Sequence, residues 1–318
     1  MKLVVGFITY NDSSAKYLDY FLPSLQEALA FLDKSEIAVL AFDNSDPDYN
    51  HNRLAIEVFN HRQDGKIEYF SHGENLGFSQ AYNYLIERAI KKGAEYFLVI
   101  NPDLILDPTS LRQLVVALDQ DKRLGSVAPK ILRWDFANNQ KTKQIDSCGI
   151  ALHAGLKFTD LGQGEIDSGQ YNQADILGPS GAAGLYRISA LKKVRDEHGY
   201  FDKRFFMYKE DCDLAYRLRE SGFSSQLMAG AEVFHDRTAA FYGRGIMSFL
   251  RNRRAMSKQI RSWSFRNQSL IFVKHYRKET LISRLLVVKN SLSMLFFSLI
   301  LEKFNLKNYA WLKKQLKY

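Results

Sequence analysis

Glu210 and Asp211 stand side by side in FFMYKEDCDLAYRLRESGF, residues 205–223. Leu214, Ala215 and Leu218 recur there at helical spacing, Asp213 lies four residues before Arg217, and Gly222 is placed to end the helix. Asp211 therefore falls in the first turn. A carboxylate at that point faces the positive end of the helix dipole, which suits a negatively charged side chain that takes a proton. Acids also occupy first turns for helix stability alone, so the pair reads either as a catalytic base or as a capping turn. Glu210 either strengthens its neighbour as a base by like-charge repulsion or meets an acceptor itself.

Upstream, the apolar run Tyr96 to Ile100 leads into Asn101-Pro102-Asp103. A polar group at the C-terminal end of a buried strand sits where α/β sheets bind ligands. Asp103 is thus a candidate ligand for a hard divalent cation, although Asn-Pro-Asp is also ordinary turn chemistry. His235 closes the apolar run Ala231 to Phe234 and opens HDRTAAF. It serves either a structural role or a metal. Seven histidines and no second His-Asp pair argue against a metal phosphohydrolase. Asp43, ending IAVLAFD before Asn44-Ser45-Asp46-Pro47-Asp48, could hold a ribose hydroxyl or a pyrimidine imide N–H, or simply shape a turn. Neither a Gly-rich dinucleotide fingerprint nor a P-loop lysine is present, which removes the usual support for NAD or ATP chemistry.

The elements that must position these residues alternate as in a parallel sheet covered on both faces. Leu3 to Thr9 and Ile37 to Asp43 read as buried strands with an amphipathic helix from Ala15 to Leu32 between them. Ile67 to Phe70 and Tyr96 to Ile100 are further strands, and Phe78 to Lys92 and Leu111 to Leu118 further helices. The 318 residues, 46% hydrophobic and 25% charged, are those of a globular chain with a substantial core. Cys148 and Cys212 have no metal or redox spacing, so a reducing compartment is expected. MKLVVGFITYND does not read as a secretory signal, because Asn11 and Asp12 stop the apolar run early.

The nine segments ITYND, AFDNSD, ENLGFSQAYN, VINPDLIL, DSCGIAL, GPSGAAGLYR, FFMYKEDCDLAYRLRESGF, VFH and FRN, over about residues 1 to 275, resemble glycosyltransferase family 2 in kind and order. Within it they are similar to the bacterial rhamnosyltransferase-like branch. The resemblance implies an α/β fold of the nucleotide-sugar-binding, Rossmann-like glycosyltransferase A type, with a mostly parallel central sheet and a C-terminal helical extension. It implies a donor site at Thr9, Tyr10, Asn11, Asp43, Asn75, Gly77, Asn83, Asn101, Asp103 and Arg266. Ser180, Gly181, Ala182 and Tyr208 would border the sugar and acceptor. Asp103, helped by His235, would hold Mg²⁺ or Mn²⁺ on the diphosphate, and Asp211 would deprotonate the acceptor hydroxyl. The common metal motif of such enzymes has two aspartates, and Asn101 replaces the first here, as in the rhamnosyltransferase-like branch. One base opposite one leaving group implies a single displacement with inversion. The donor implied first is dTDP-rhamnose, with galactofuranose, glucose or N-acetylglucosamine donors as alternatives. The acceptor implied is a cell-surface polysaccharide or a lipid-linked glycan.

Charge is uneven along the chain. Residues 241–318 hold 17 Lys and Arg against Glu279 and Glu302, within a net charge of +9 for the whole. That favours a nearly neutral catalytic body with a cationic tail over a nucleic-acid binder. We expect a catalytic domain over 1–245, with a nucleotide-binding half 1–103 and an acceptor half 104–245, followed by a basic amphipathic extension over 246–318. The apolar core Leu292 to Leu301, with Lys289 and Asn290 upstream, is short for a bilayer span. An interfacial helix pair on the inner face of the plasma membrane of a cytoplasmic protein is the expectation, and an ordinary helical cap or a dimer contact is the alternative. A non-catalytic nucleotide-sugar-binding protein is the competing class.

Overall fold

The computed structural model of the chain describes residues 1–62, 66–236 and 246–315. Of the HDRTAAF run, residues 237–241 lie outside that description, as do 316–318 of the basic tail. The chain forms two compact units, the first of residues 1–151, 160–206 and 210–238, the second of 152–159, 207–209 and 239–318.

The first unit opens with β1 (Leu3–Thr9), α1 (Asn11–Leu29), β2 (Ile37–Asp43), α2 (His51–Arg62), β3 (Ile67–Ser71) and α3 (Gly77–Lys91). It continues through β4 (Tyr96–Ile100), β5 (Leu104–Leu106), α4 (Ser110–Gln120), β6 (Leu124–Asp135) and β7 (Gln140–Ser147). A separate two-stranded ribbon, most of it belonging to the second unit, comes next in the chain, β8 (Ile150–His153) with β9 (Lys157–Asp160). The first unit closes with β10 (Ala183–Arg187), α5 (Ile188–Val194), α6 (Glu210–Glu220) and β11 (Ser224–His235). The sheet has the order β3-β2-β1-β4-β10-β6-β11-β5, with β7 on β6. Pairing is parallel from β3 to β4 and between β6 and β11, while β10 runs antiparallel to both its neighbours.

The central strands β1 and β4 are apolar because both their faces are covered. Leu3, Val5 and Phe7 of β1 and Tyr96, Leu98 and Ile100 of β4 point into one core with Phe21, Leu25 and Leu114 from α1 and α4. Val4, Phe97 and Val99 point into the other with Tyr82, Leu85, Leu191 and Leu214 from α3, α5 and α6. Gly6 has a packing reason of its own: a Cβ there would lie 2.4 Å from the Phe97 ring. Helix α1 starts four residues earlier than its apolar pattern indicates. Asn11 takes a left-handed backbone, φ 41°, which asparagine tolerates, and Ser14 Oγ accepts the Tyr10 N–H at 2.9 Å.

The second unit holds α7 (Ile246–Ala255), α8 (Lys258–His275), α9 (Leu281–Ile300) and α10 (Lys307–Gln315). Thr280 caps α9, its hydroxyl accepting the Ser283 N–H at 3.3 Å. Contrary to the sequence expectation, Lys289 and Asn290 do not shorten the apolar segment. Helix α9 runs unbroken through both for 20 residues, long and apolar enough by length and composition to cross a membrane.

Candidate functional site

Thr9, Asp43 and His235 end β1, β2 and β11, and Asn101 and Asp103 follow β4. Thr9 and Asp43 end neighbouring strands in register, and the Asn44 N–H donates to Thr9 O at 2.9 Å. Asn11 and Asp46 clamp each other, side-chain amide to carboxylate at 2.8 Å and backbone N–H to side-chain oxygen at 3.0 Å. Asp43 is buried and its oxygens are already used. One accepts Ser45 N–H at 3.0 Å and the Ser45 hydroxyl at 2.5 Å, the other the Tyr69 hydroxyl at 2.7 Å. Asp43 therefore shapes the 44–46 turn. Burial and the Asp43 carboxylate hold the Tyr69 phenol well above its usual range. Beside this cradle Tyr10 is exposed, while Thr9 Oγ1 is buried with no partner among the described atoms.

Asn75 folds back so that its Oδ1 accepts the Gly77 N–H at 2.8 Å. Gly77 has φ +71° and Phe206 O in the place of a Cβ, at 2.5 Å. Asn83 has a structural role. Its amide brackets the Phe201 backbone, donating to Phe201 O at 2.7 Å and accepting Phe201 N–H at 2.9 Å, so both ends are consumed by the fold. Arg266 lies on α8 in the second unit, its guanidinium 4.5 Å from the Trp311 ring centroid. Tyr208, also in the second unit, is exposed and strained at φ 73°, as is Lys209 at 74°. Asn267 anchors that strained turn by donating to Met207 O and Tyr208 O, each at 2.7 Å.

The Ser180-Gly181-Ala182 loop lies against the end of β4, where Asn101 N–H donates to Ala182 O at 2.8 Å. It also holds the expected base. Gly181 N–H donates to Asp211 Oδ2 at 2.8 Å, while Asp211 Oδ1 accepts its own helix's Cys212 N–H at 2.7 Å. A side chain at 181 would press on that carboxylate, its Cβ falling 3.2 Å from Oδ2. Asp211 is half-buried at the N-terminus of α6, and Glu210 is buried beside it. Tyr82 is buried where the charges of Asp103 and Glu210 act on it. Burial holds its phenol well above the usual range, the Ile100 carbonyl that it bonds at 3.1 Å partly offsets this, and the charges of Asp103 and Glu210 add to it.

His235 ends β11 between two carboxylates, with Nε2 3.1 Å from Asp103 Oδ2 and Nδ1 2.8 Å from Asp146 Oδ2. Burial alone would lower its pKa, but the two carboxylates outweigh it and raise the imidazole to about 10. Asp103 Oδ1 is buried and has no partner among the described atoms. This arrangement fits a divalent ion. A carboxylate on Nδ1 is the usual support for a metal-binding imidazole, and Asp103 Oδ1 is a buried oxygen with no partner among the described atoms; Nε2 bonds Asp103 Oδ2, and a metal there would displace its proton. Among the described residues no set of three or more His, Cys, Asp or Glu side chains gathers as ligands would, so water and substrate oxygens would complete the shell. Sequence reasoning missed Asp146. Its signal is an acid following Ile145 at the end of β7, within DSCGIAL. Tyr17 also joins this edge, its hydroxyl 2.5 Å from Asp236 Oδ2.

The glycosyl transferase family 2 profile matches residues 4–195. The chain belongs to glycosyl transferase family 2. Asp43, Gly77, Asp103, Asp146 and Gly181 fall inside the matched span, and Asp211 and His235 beyond it. Among characterised proteins, this family 2 chain is 29% identical over 250 residues to N-acetylglucosaminyl-diphospho-decaprenol L-rhamnosyltransferase of Mycobacterium tuberculosis, covering 73% of this chain and 75% of that protein. Among solved structures it is similar to S. aureus TarS, with a TM-score of 0.56 at 16% identity, covering 97% of this chain and 47% of that one. It is also similar to GalNAc-T7 with UDP, GalNAc and Mn²⁺, with a TM-score of 0.57 at 10% identity, covering 85% of this chain and 50% of that one. The chain thus spans about half the length of each of these two structures, and they establish the glycosyltransferase A-type fold.

Proposed function

We propose that this glycosyltransferase moves a sugar, rhamnose from dTDP-rhamnose before others, onto a hydroxyl of a polysaccharide or lipid-linked glycan, with inversion. The observation that carries the reading is Asp211, held through Oδ2 by the Gly181 N–H at 2.8 Å at the mouth of α6. An attacking hydroxyl must lose its proton as the anomeric bond forms, and a fixed carboxylate beside it accepts that proton without rearranging. Ser180, Gly181 and Ala182 back the sugar, where small residues let substrate approach the backbone. A Mg²⁺ or Mn²⁺ held by Asp103 and His235 would supply positive charge to the departing diphosphate. Asp146 fixes the imidazole so that Nε2 faces Asp103. The choice of rhamnose is supported by 29% identity to an L-rhamnosyltransferase over 73% of the chain. A lipid-linked acceptor would place the enzyme on the inner face of the membrane.

A panel of nucleotide sugars, each with and without Mg²⁺ or Mn²⁺, should raise the melting temperature for one donor and more so with metal, since ligands of the native state stabilise it. Asp211→Asn should lower turnover by about 10²–10⁴-fold, the usual share of a general base, and leave donor stabilisation intact. Undiminished turnover in that variant removes Asp211 from the reaction.

A further inference from the structure

Helix α9 buries Val287 with two serines but leaves most of its large apolar side chains outside, unlike a helix packed only in water. The face turned into its own unit bears Ser283, Asn290 and Ser298. Ser283 Oγ accepts the Gly155 N–H at 2.9 Å, and Asn290 donates to Gly155 O at 3.1 Å. The face turned outward bears Leu281, Ile282, Leu285, Leu292, Phe296 and Ile300, each between 56% and 73% exposed. At about 100° per residue these six fall in one stripe about 100° wide and about 30 Å long. Exposed apolar surface on that scale, interrupted only by Lys289, marks an interaction site.

The charges around the stripe say what covers it. Arg277 and Lys278 precede it, Lys303 and Lys307 follow it, and Lys289 rises within it, all exposed. The two acids of this segment are withdrawn. Glu302 is 2% exposed and held by Arg253 and Arg261, and Glu279 is only partly exposed and accepts the Ser283 hydroxyl. A second copy of the chain would bring the same cations to both ends of the stripe and no acid to meet them. Spanning a bilayer would put the hydrogen-bonded Gly155 face into hydrocarbon. We propose that α9 docks the protein on an anionic phospholipid surface, lying in the interface with Leu285, Leu292 and Phe296 among the acyl chains and the flanking lysines and arginines among the headgroups. This deepens the membrane part of the proposed function and rests on a membrane-held acceptor; donor binding is independent of it.

The test is co-sedimentation of the full chain with vesicles of phosphatidylcholine alone or mixed with phosphatidylglycerol, with nucleotide-sugar thermal stabilisation followed in parallel. The chain should sediment with the anionic vesicles, less so at high salt, and Leu285→Glu with Phe296→Glu should weaken partitioning at least about tenfold while melting temperature and donor response stay unchanged. Failure of the natural sequence to sediment with anionic vesicles, or undiminished binding by the double variant, overturns the docking. So does a change from dimer to monomer in the double variant without loss of vesicle binding. Vesicle binding that the double variant loses, in a protein that answers no nucleotide sugar, supports the docking and rejects the transferase reading instead.

Discussion

At the scale of single residues the site is organised by one imidazole. His235 is gripped by Asp146 on Nδ1 at 2.8 Å and meets Asp103 on Nε2 at 3.1 Å, and the two contacts are not equivalent. Asp146 is 2% exposed and bonds the ring, whereas Asp103 is partly exposed and carries an oxygen with no partner among the described atoms. In the proposed metal site Asp146 would then position the ring and Asp103 would be the ligand. Asp146→Asn keeps the shape and removes the charge that orients the ring. It should weaken Mn²⁺ binding about 10–100-fold, measured by titration calorimetry, with a smaller effect on the fold. Unchanged Mn²⁺ affinity in a folded variant would leave Asp146 as filling alone.

Elements carry the next level of constraint, most sharply where α3 begins. Alanine at 77 must hold φ +71° and put its Cβ 2.5 Å from the Phe206 carbonyl oxygen, whereas Gly73, also at +71°, has nothing within 4 Å. Gly77→Ala should cost about 2 kcal/mol or more and Gly73→Ala only the backbone part, about 1 kcal/mol, by thermal or urea unfolding. Equal losses would mean that Phe206 yields. The contrast also explains what the sequence disclosed. Strands β1, β2 and β4 were legible because burial on both faces makes them continuous apolar runs, and α6 because Leu214, Ala215 and Leu218 keep helical spacing. Helix α2 went unread since only Asn52 and Ile56 of its twelve residues are buried. Strand β7 hides behind QKTKQ, whose lysines and glutamines face outward, so Asp146 at its end carried no visible context. Asn83 looked chemical because an amide's partners are set by chain that lies 118 residues away, at Phe201.

For the whole molecule, the decisive fact is that the second unit recruits chain from inside the first 245 residues, at 152–159 and 207–209. Four side chains of the C-terminal helices close on that recruited backbone: Asn267 on Met207 and Tyr208, Gln268 on Leu156, and Ser283 and Asn290 on Gly155. A chain ended after residue 245 keeps these segments but loses every one of those partners. Tyr208 and Lys209, held left-handed at φ 73° and 74°, then lose the Asn267 bonds that help maintain a backbone costing about 1–3 kcal/mol per residue, and they lead directly into Glu210 and Asp211. The 1–245 truncation should therefore become open to limited proteolysis near 155 and 208 and lose turnover, while the nucleotide-sugar stabilisation that depends on the β1, β2 and β4 edge survives. Full resistance at both positions, with normal turnover, would show that the boundary after 245 separates two independent pieces and that the strained turn holds itself.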